Sequence, residues 1–178
     1  MNIIIRPIKE NEIPLLTDFL YEAIFLADTD QIPPRTIIQE PSLWRYINNF
    51  GKEKDDYCFI AQVDNYIVGA VWIRCIQGFG HLNDNIPELA MSIYPQYRNK
   101  GIGTSLLKNF LTFLRQKNYT QISLSVQKNN YAVNMYKKLG FKIVSQNQSE
   151  YIMSFMIKKI YNLIIIFAIF NGLLFNLF

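Results

Sequence analysis

Apolar residues recur along the 178-residue chain with two periods, and the switches between them mark its elements. Alternation or a short β-branched run predicts a strand, and recurrence every three to four residues predicts a helix. Asn2 to Arg6 is a β-branched run closed by Pro7 and reads as a strand. A helix is expected from about Glu12, capped by Asn11, with Pro14 in its first turn and Ile13, Leu16, Phe19, Leu20, Ala23, Phe25 and Leu26 on its apolar face. Asp28 to Pro34 is loop. A second helix is expected over Ser42 to Phe50, burying Leu43, Tyr46, Ile47 and Phe50 and stopping at Gly51.

Two β-rich runs, Tyr57 to Val63 and Tyr66 to Ile76, flank Asp64-Asn65, the signature of a tight hairpin. Gln77 to Asn85 is a loop in which Phe79 and His81 are candidates to line a cleft. A strand follows Pro87, in which Leu89, Met91 and Ile93 alternate with Glu88, Ala90 and Ser92. A helix over Thr104 to Lys117 buries Leu106, Leu107, Phe110, Leu111, Phe113 and Leu114. Then come a strand over Ile122 to Val126, a helix over Asn129 to Leu139 that closes on Gly140, and strands over Phe141 to Val144 and Tyr151 to Ile157. Strands and helices alternate without an internal repeat. The expected fold class is therefore α/β of the α+β kind, a mixed, mostly antiparallel sheet with helices on both faces.

The stretch between strand and helix, Tyr94 to Thr104, carries Arg98, Lys100, Gly101 and Gly103. Two glycines let backbone approach a ligand, and the unpaired amides of the first helical turn point outward with the positive end of the helix dipole behind them. Such a loop suits a phosphate, with Arg98 and Lys100 as added charges; a plain tight connection is the alternative. It lacks the spacing of a Walker A motif and the third glycine of a Rossmann fingerprint, so neither a nucleoside triphosphate nor a dinucleotide is favoured.

Charge sharpens this picture. Residues 1–88 hold seven Lys/Arg against thirteen Asp/Glu, whereas residues 89–178 hold eleven against one, Glu150. The basic half suits a polyanionic ligand and the acidic half a cationic one, although a solvated surface of mixed sign gives the same count. Cys58 and Cys75 sit in apolar runs without metal-ligand spacing and read as small buried hydrophobes. His81 is the only histidine, which places a histidine pair or zinc-cluster mechanism out of reach.

The segment Gln96-Tyr97-Arg98-Asn99-Lys100-Gly101-Ile102-Gly103-Thr104 resembles the acetyl-CoA loop of the GCN5-related N-acetyltransferases (GNAT), Gln/Arg-x-x-Gly-x-Gly/Ala. Asn129-Asn130-Tyr131-Ala132, continuing through Tyr136 to Gly140-Phe141, looks like the family's second hallmark, Asn-x-x-Ala-x-x-x-Tyr-x-x-x-Gly-Phe. The resemblance spans Ile3 to about Ile157. It implies acetyl-CoA as cosubstrate, with backbone amides from Arg98 to Thr104 on the pyrophosphate. It also implies the strand end at Ile93 on the pantetheine arm, with Asn129 and, more weakly, Asn134 as further contacts. Tyr136 falls where the family places the phenol that protonates the departing thiolate; its alternative is a tyrosine packing helix on sheet. Glu88 is the candidate base that takes a proton from the attacking amine, against the alternative of a rim carboxylate that attracts the amine or caps the strand. The glutamate that ribosomal-protein acetyltransferases carry just before the second hallmark has no counterpart in Leu124 to Lys128.

The resemblance implies an N-acetyltransferase acting on a primary amine of an unidentified small molecule or peptide, and neither a metal nor a nucleic-acid partner is expected. The rival is a non-catalytic CoA-binding or membrane-tethered module. The transferase domain is assigned to residues 1–159 and, without a recognisable signal peptide, is expected to face the cytoplasm. Residues 160–178 are uncharged and nearly all apolar, follow Lys158 and Lys159, and as a helix would span about 28 Å. This segment reads as a membrane anchor, as a helix buried on the body or on a second subunit of a homodimer, or as a non-native or disordered end.

Overall fold

The computed structural model of the chain describes residues 2–25 and 31–157. Seven strands form one sheet: β1 (Ile3–Pro7), β2 (Tyr57–Val63), β3 (Tyr66–Arg74), β4 (Glu88–Ile93), β5 (Gln121–Gln127), β6 (Lys142–Gln146) and β7 (Glu150–Met156). Their order is β1-β2-β3-β4-β5-β7-β6, and every pairing is antiparallel except β4 with β5. Four α-helices accompany them among the described residues: α1 (Leu16–Ala23), α2 (Pro41–Trp44), α3 (Ile102–Gln116) and α4 (Ala132–Leu139). This is the expected mixed, mostly antiparallel sheet with helices on both faces.

Alternation along the central strands splits the core in two. Val71, Ile73, Leu89, Ile93, Ile122, Leu124 and Val126 face α3 and α4, joining Leu106, Leu107, Phe110, Leu114, Val133 and Tyr136. Cys58, Ile60, Ala70 and Trp72 face the other way, against Leu16, Phe19 and Leu20 of α1 and Tyr46, Ile47 and Phe50 beyond α2. Each fully buried Leu, Ile or Phe side chain contributes about 1.5–3 kcal/mol of transfer free energy, so both layers hold the sheet firmly. Asp64 and Asn65 both take positive φ (46° and 73°), as the two-residue hairpin requires.

Several boundaries differ from the sequence-based expectation. The first helix begins as a 3-10 turn over Glu10–Leu15, and Asn11 is not its cap: the Glu12 carboxylate accepts the Lys9 N–H (2.8 Å) and pairs with Arg6 (2.7 Å). The second helix stops at Trp44, because side chains capture the carbonyls beyond it. Trp72 Nε1 donates to Tyr46 O (3.1 Å), and Arg74 donates to Arg45 O (3.0 Å) and Asn48 O (2.7 Å). The third helix starts at Ile102, not Thr104, and the fourth at Ala132, ending as expected at Gly140, whose φ is +102°. Strand β3 ends at Arg74, so Cys75 is exposed and not a buried hydrophobe, whereas Cys58 is buried; both are free thiols.

Residues 160–178, read as an anchor or packed helix, lie outside the described residues, as does Leu26. Among the described residues no helix is long and apolar enough to cross a membrane.

Arg74 is the buried pin of the segment that carries Tyr46. Its guanidinium makes two bonds to the Asp56 carboxylate, at 2.8 and 3.0 Å, besides the two carbonyls above. Asp56→Ala leaves a buried cation without its counter-charge and is expected to cost about 3–5 kcal/mol of unfolding free energy. Urea denaturation checks this, and a loss below about 1 kcal/mol would show that water reaches the pair.

Candidate active site

The parallel pair β4/β5 is joined at one place. Glu88 opposes Ser123, whose N–H donates to Pro87 O at 3.1 Å. Beyond it the strands part, and a cleft of about 1580 Å³ opens between Leu89 to Ile93 on one side and Ser125 to Gln127 on the other. The cleft runs through the sheet, reaching α3 and α4 on one face and α1, Ile37, Leu43 and Phe79 on the other. Separated strand edges leave backbone donors and acceptors free for a ligand. Ser125 adds a buried Oγ with no hydrogen-bond partner among the described residues.

At the α3 end the geometry is that of an anion site. Gly101 precedes the helix with φ +77°, a left-handed conformation that favours glycine. The first helical bond runs from Ser105 N–H to Gly101 O (3.0 Å), so the amides of Ile102, Gly103 and Thr104 have no partner four residues back. A Cβ on Gly103 would lie 3.1 Å from Met91 Cε, so this glycine lets α3 sit close against β4.

The predicted ligands divide. Ile93, Arg98, Asn99, Gly101, Gly103, Thr104 and Asn129 line the cleft; Lys100, Ile102 and Asn134 do not. Ile102 is buried, and Lys100 lies over the Tyr97 ring at 5.5 Å. Arg98 turns inward instead of presenting its charge beside the amides. Its Nε donates to Ile93 O (2.8 Å) and its Nη2 pairs with Glu22 (3.1 Å), stapling the loop to the end of β4 and to α1. Lys108 and Lys138 also line the cleft. Neither is among the residues expected from sequence, although Lys108 follows Thr104 by one helical turn and so shares its face.

Tyr136 lies on α4, 7% exposed, with its ring packed on Phe141 and its side chain on the cleft wall. Burial pushes its phenol well above the usual range, so it is a protonated donor at neutral pH. Glu88, in contrast, is 1% exposed and does not line the cleft. Its carboxylate accepts the N–H groups of Gly78 (2.6 Å) and Gly80 (2.8 Å) and the hydroxyl of Tyr46 (2.8 Å). His81 is half-buried beside the carbonyl of Ile76 and stays off the cleft wall.

Comparison with known proteins decides the family. The sequence pattern of the acetyltransferase (GNAT) family matches residues 22–141. The chain belongs to the GNAT family. It is similar to an N-alpha-acetyltransferase of Sulfurisphaera tokodaii, with 34% identity over 67% of this chain and 77% of that protein. A second N-alpha-acetyltransferase, from Saccharolobus solfataricus, is 30% identical over 75% of this chain and 86% of its own. The PaiA N-acetyltransferase of Thermoplasma acidophilum, solved in complex with coenzyme A, shares the fold: TM-score 0.65, 22% identity, 88% of this chain and 99% of the other. This GNAT chain is accordingly an acetyl-CoA-dependent N-acetyltransferase, and the non-catalytic rival is not favoured.

The Arg98 staple generates a stability prediction. Arg98→Ala removes charge-assisted bonds to Ile93 O and Glu22 and is expected to cost about 1.5–3 kcal/mol without any ligand present. Thermal unfolding of the ligand-free protein measures it; unchanged stability would show that Arg98 is free to bind phosphate.

Proposed function

We propose that this GNAT enzyme acetylates the α-amino group at a polypeptide N-terminus. What carries the reading is the scarcity of free base in the cleft. An amine must be neutral to attack a thioester. Two carboxylates line the cleft among the described residues, Glu22, held by Arg98, and Glu150 at the start of β7; His81 lies away from it. At pH 7.5 roughly a third of an α-amine, with a pKa of about 7.7–8.0, is already neutral, against about 0.1% of a lysine side chain. A cleft with so little free base among its described residues therefore suits an α-amine. A polyamine would call for several unpaired carboxylates. The similarity to two N-alpha-acetyltransferases supports the same acceptor.

In this reading the amides of Ile102, Gly103 and Thr104 receive the pyrophosphate of acetyl-CoA, with Lys108 beside them and Asn99 and Asn129 along the wall. The pantetheine arm lies between the parted strands, where the free edges of β4 and β5 pair with its amides. The amine nitrogen attacks the thioester carbonyl, the tetrahedral adduct collapses with cleavage of the carbon–sulfur bond, and Tyr136 delivers its proton to the departing thiolate. The adduct nitrogen loses its extra proton to solvent, and a solvent proton restores the Tyr136 phenol. Asn134 and Lys100 are exposed and play no part in the contact; Ile102 contributes through its backbone alone.

Three outcomes test this. Peptides with a free N-terminus are expected to release CoA thiol and gain one acetyl group at the α-nitrogen, whereas N-terminally blocked peptides containing lysine are not; equal modification of lysine would overturn the reading. Tyr136→Phe is expected to lower kcat by about 10²-fold. Because the Tyr136 phenol stays protonated, the rate should rise with pH as the amine deprotonates and show no falling limb between pH 6 and pH 9, on the order of the assay range.

A further inference from the structure

Resting on the N-terminal reading above, we infer that Glu88 is a positioning residue that holds an aromatic wall, Tyr46 and Phe79, which selects acceptors with a bulky apolar first side chain. Three donors meet the Glu88 carboxylate and bury it, so no amine reaches it. A general base has to lie within hydrogen-bond reach of the proton it removes, directly or through a water. What the carboxylate does instead is gather a loop. Gly78 and Gly80 donate to it from either side of Phe79, and Phe79 N–H donates to the same Tyr46 hydroxyl (2.8 Å) that donates to Glu88. Four hydrogen bonds thus fix Phe79 in register with Tyr46.

The loop composition fits this role. A Cβ on Gly78 would collide with the Tyr46 hydroxyl, and one on Gly80 would lie 2.6 Å from the backbone of Leu124. Only glycine on both sides lets the loop press onto β5 while its amides reach Glu88. The result is an exposed ring in a place where the chain holds it still. Phe79 is 48% exposed, nearly parallel to the Tyr46 ring (12°, centroids 6.3 Å apart), and both line the cleft on the face opposite α3. Ile24, Ile37 and Leu43 line the same face of the cleft. Glu22, the carboxylate nearest to them along α1, is neutralised by Arg98. This wall is continuous with the gap between β4 and β5, so the side chain next to the reacting amine is the part of an acceptor that meets it.

The experiment is steady-state kinetics on the full-length protein with two peptides identical except for a first residue of Leu or Ser. Wild type, Glu88→Gln, Phe79→Ala and Tyr46→Phe are compared, and the rise in melting temperature with acetyl-CoA confirms that each variant is folded. The wild type should prefer the Leu peptide. Phe79→Ala and Glu88→Gln should each cut that preference in kcat/KM about tenfold, chiefly through the peptide KM, with the pH profile of Glu88→Gln unmoved. If Glu88→Gln instead collapses kcat at unchanged peptide KM and alters the pH profile, Glu88 is a base and the inference is overturned. Equal use of both peptides by the wild type would also overturn it, with N-terminal acetylation intact. Absence of wild-type turnover on any peptide would overturn the N-terminal reading and this inference together.

Discussion

The site depends on one arrangement: the unpaired amides at the front of α3, delivered beside the point where β4 and β5 separate. A parallel pair that continued along its length would satisfy its own backbone and leave no place for an extended ligand. Here the pair is joined at Glu88 and Ser123 alone. Leu89 to Ile93 then diverge from Ser125 to Gln127, and α3 begins immediately after the turn that follows β4. In the proposed binding mode, the ligand's anionic end and its amide-bearing arm are met by backbone. That explains how the cleft forms from elements whose side chains are mostly committed to the two cores.

Several charged side chains in and around this cleft are occupied with holding it. Arg98 ties the loop to Ile93 and Glu22, Arg74 ties the segment around Tyr46 to Asp56, and Glu88 ties the loop around Phe79 to Tyr46. Each is a charge kept at least partly from water with its partners supplied, the condition under which such groups are tolerated. In the proposed mechanism the chemistry rests on weaker groups: a phenol held protonated by burial, and helix-end dipoles. This division matches an acceptor amine that arrives partly deprotonated.

Much of the fold was legible because its signals are local. The Asp64-Asn65 turn, the alternation in β4, the apolar stripe of α3 and the glycine stop at Gly140 each depend on a few neighbouring residues. The glycine loop and the tyrosine of α4 were legible for the same reason. Three misreadings, at Arg98, at Glu88 and at the end of the second helix, share one cause, partners distant in sequence. Glu22 lies 76 residues before Arg98, and Tyr46 lies 42 before Glu88, so nothing near Arg98 or Glu88 announced that its charge was already engaged. The second helix was overextended because its apolar period continues to Phe50, while Trp72 and Arg74 take the carbonyls that a helix would use.

The account is tested most directly at the backbone itself. In a titration of the ¹⁵N-labelled protein with coenzyme A, followed by amide chemical shifts, the N–H signals of Ile102, Gly103 and Thr104 are predicted to move furthest and to saturate together. Saturable binding that leaves those three amides unmoved, while shifts gather elsewhere, would contradict it.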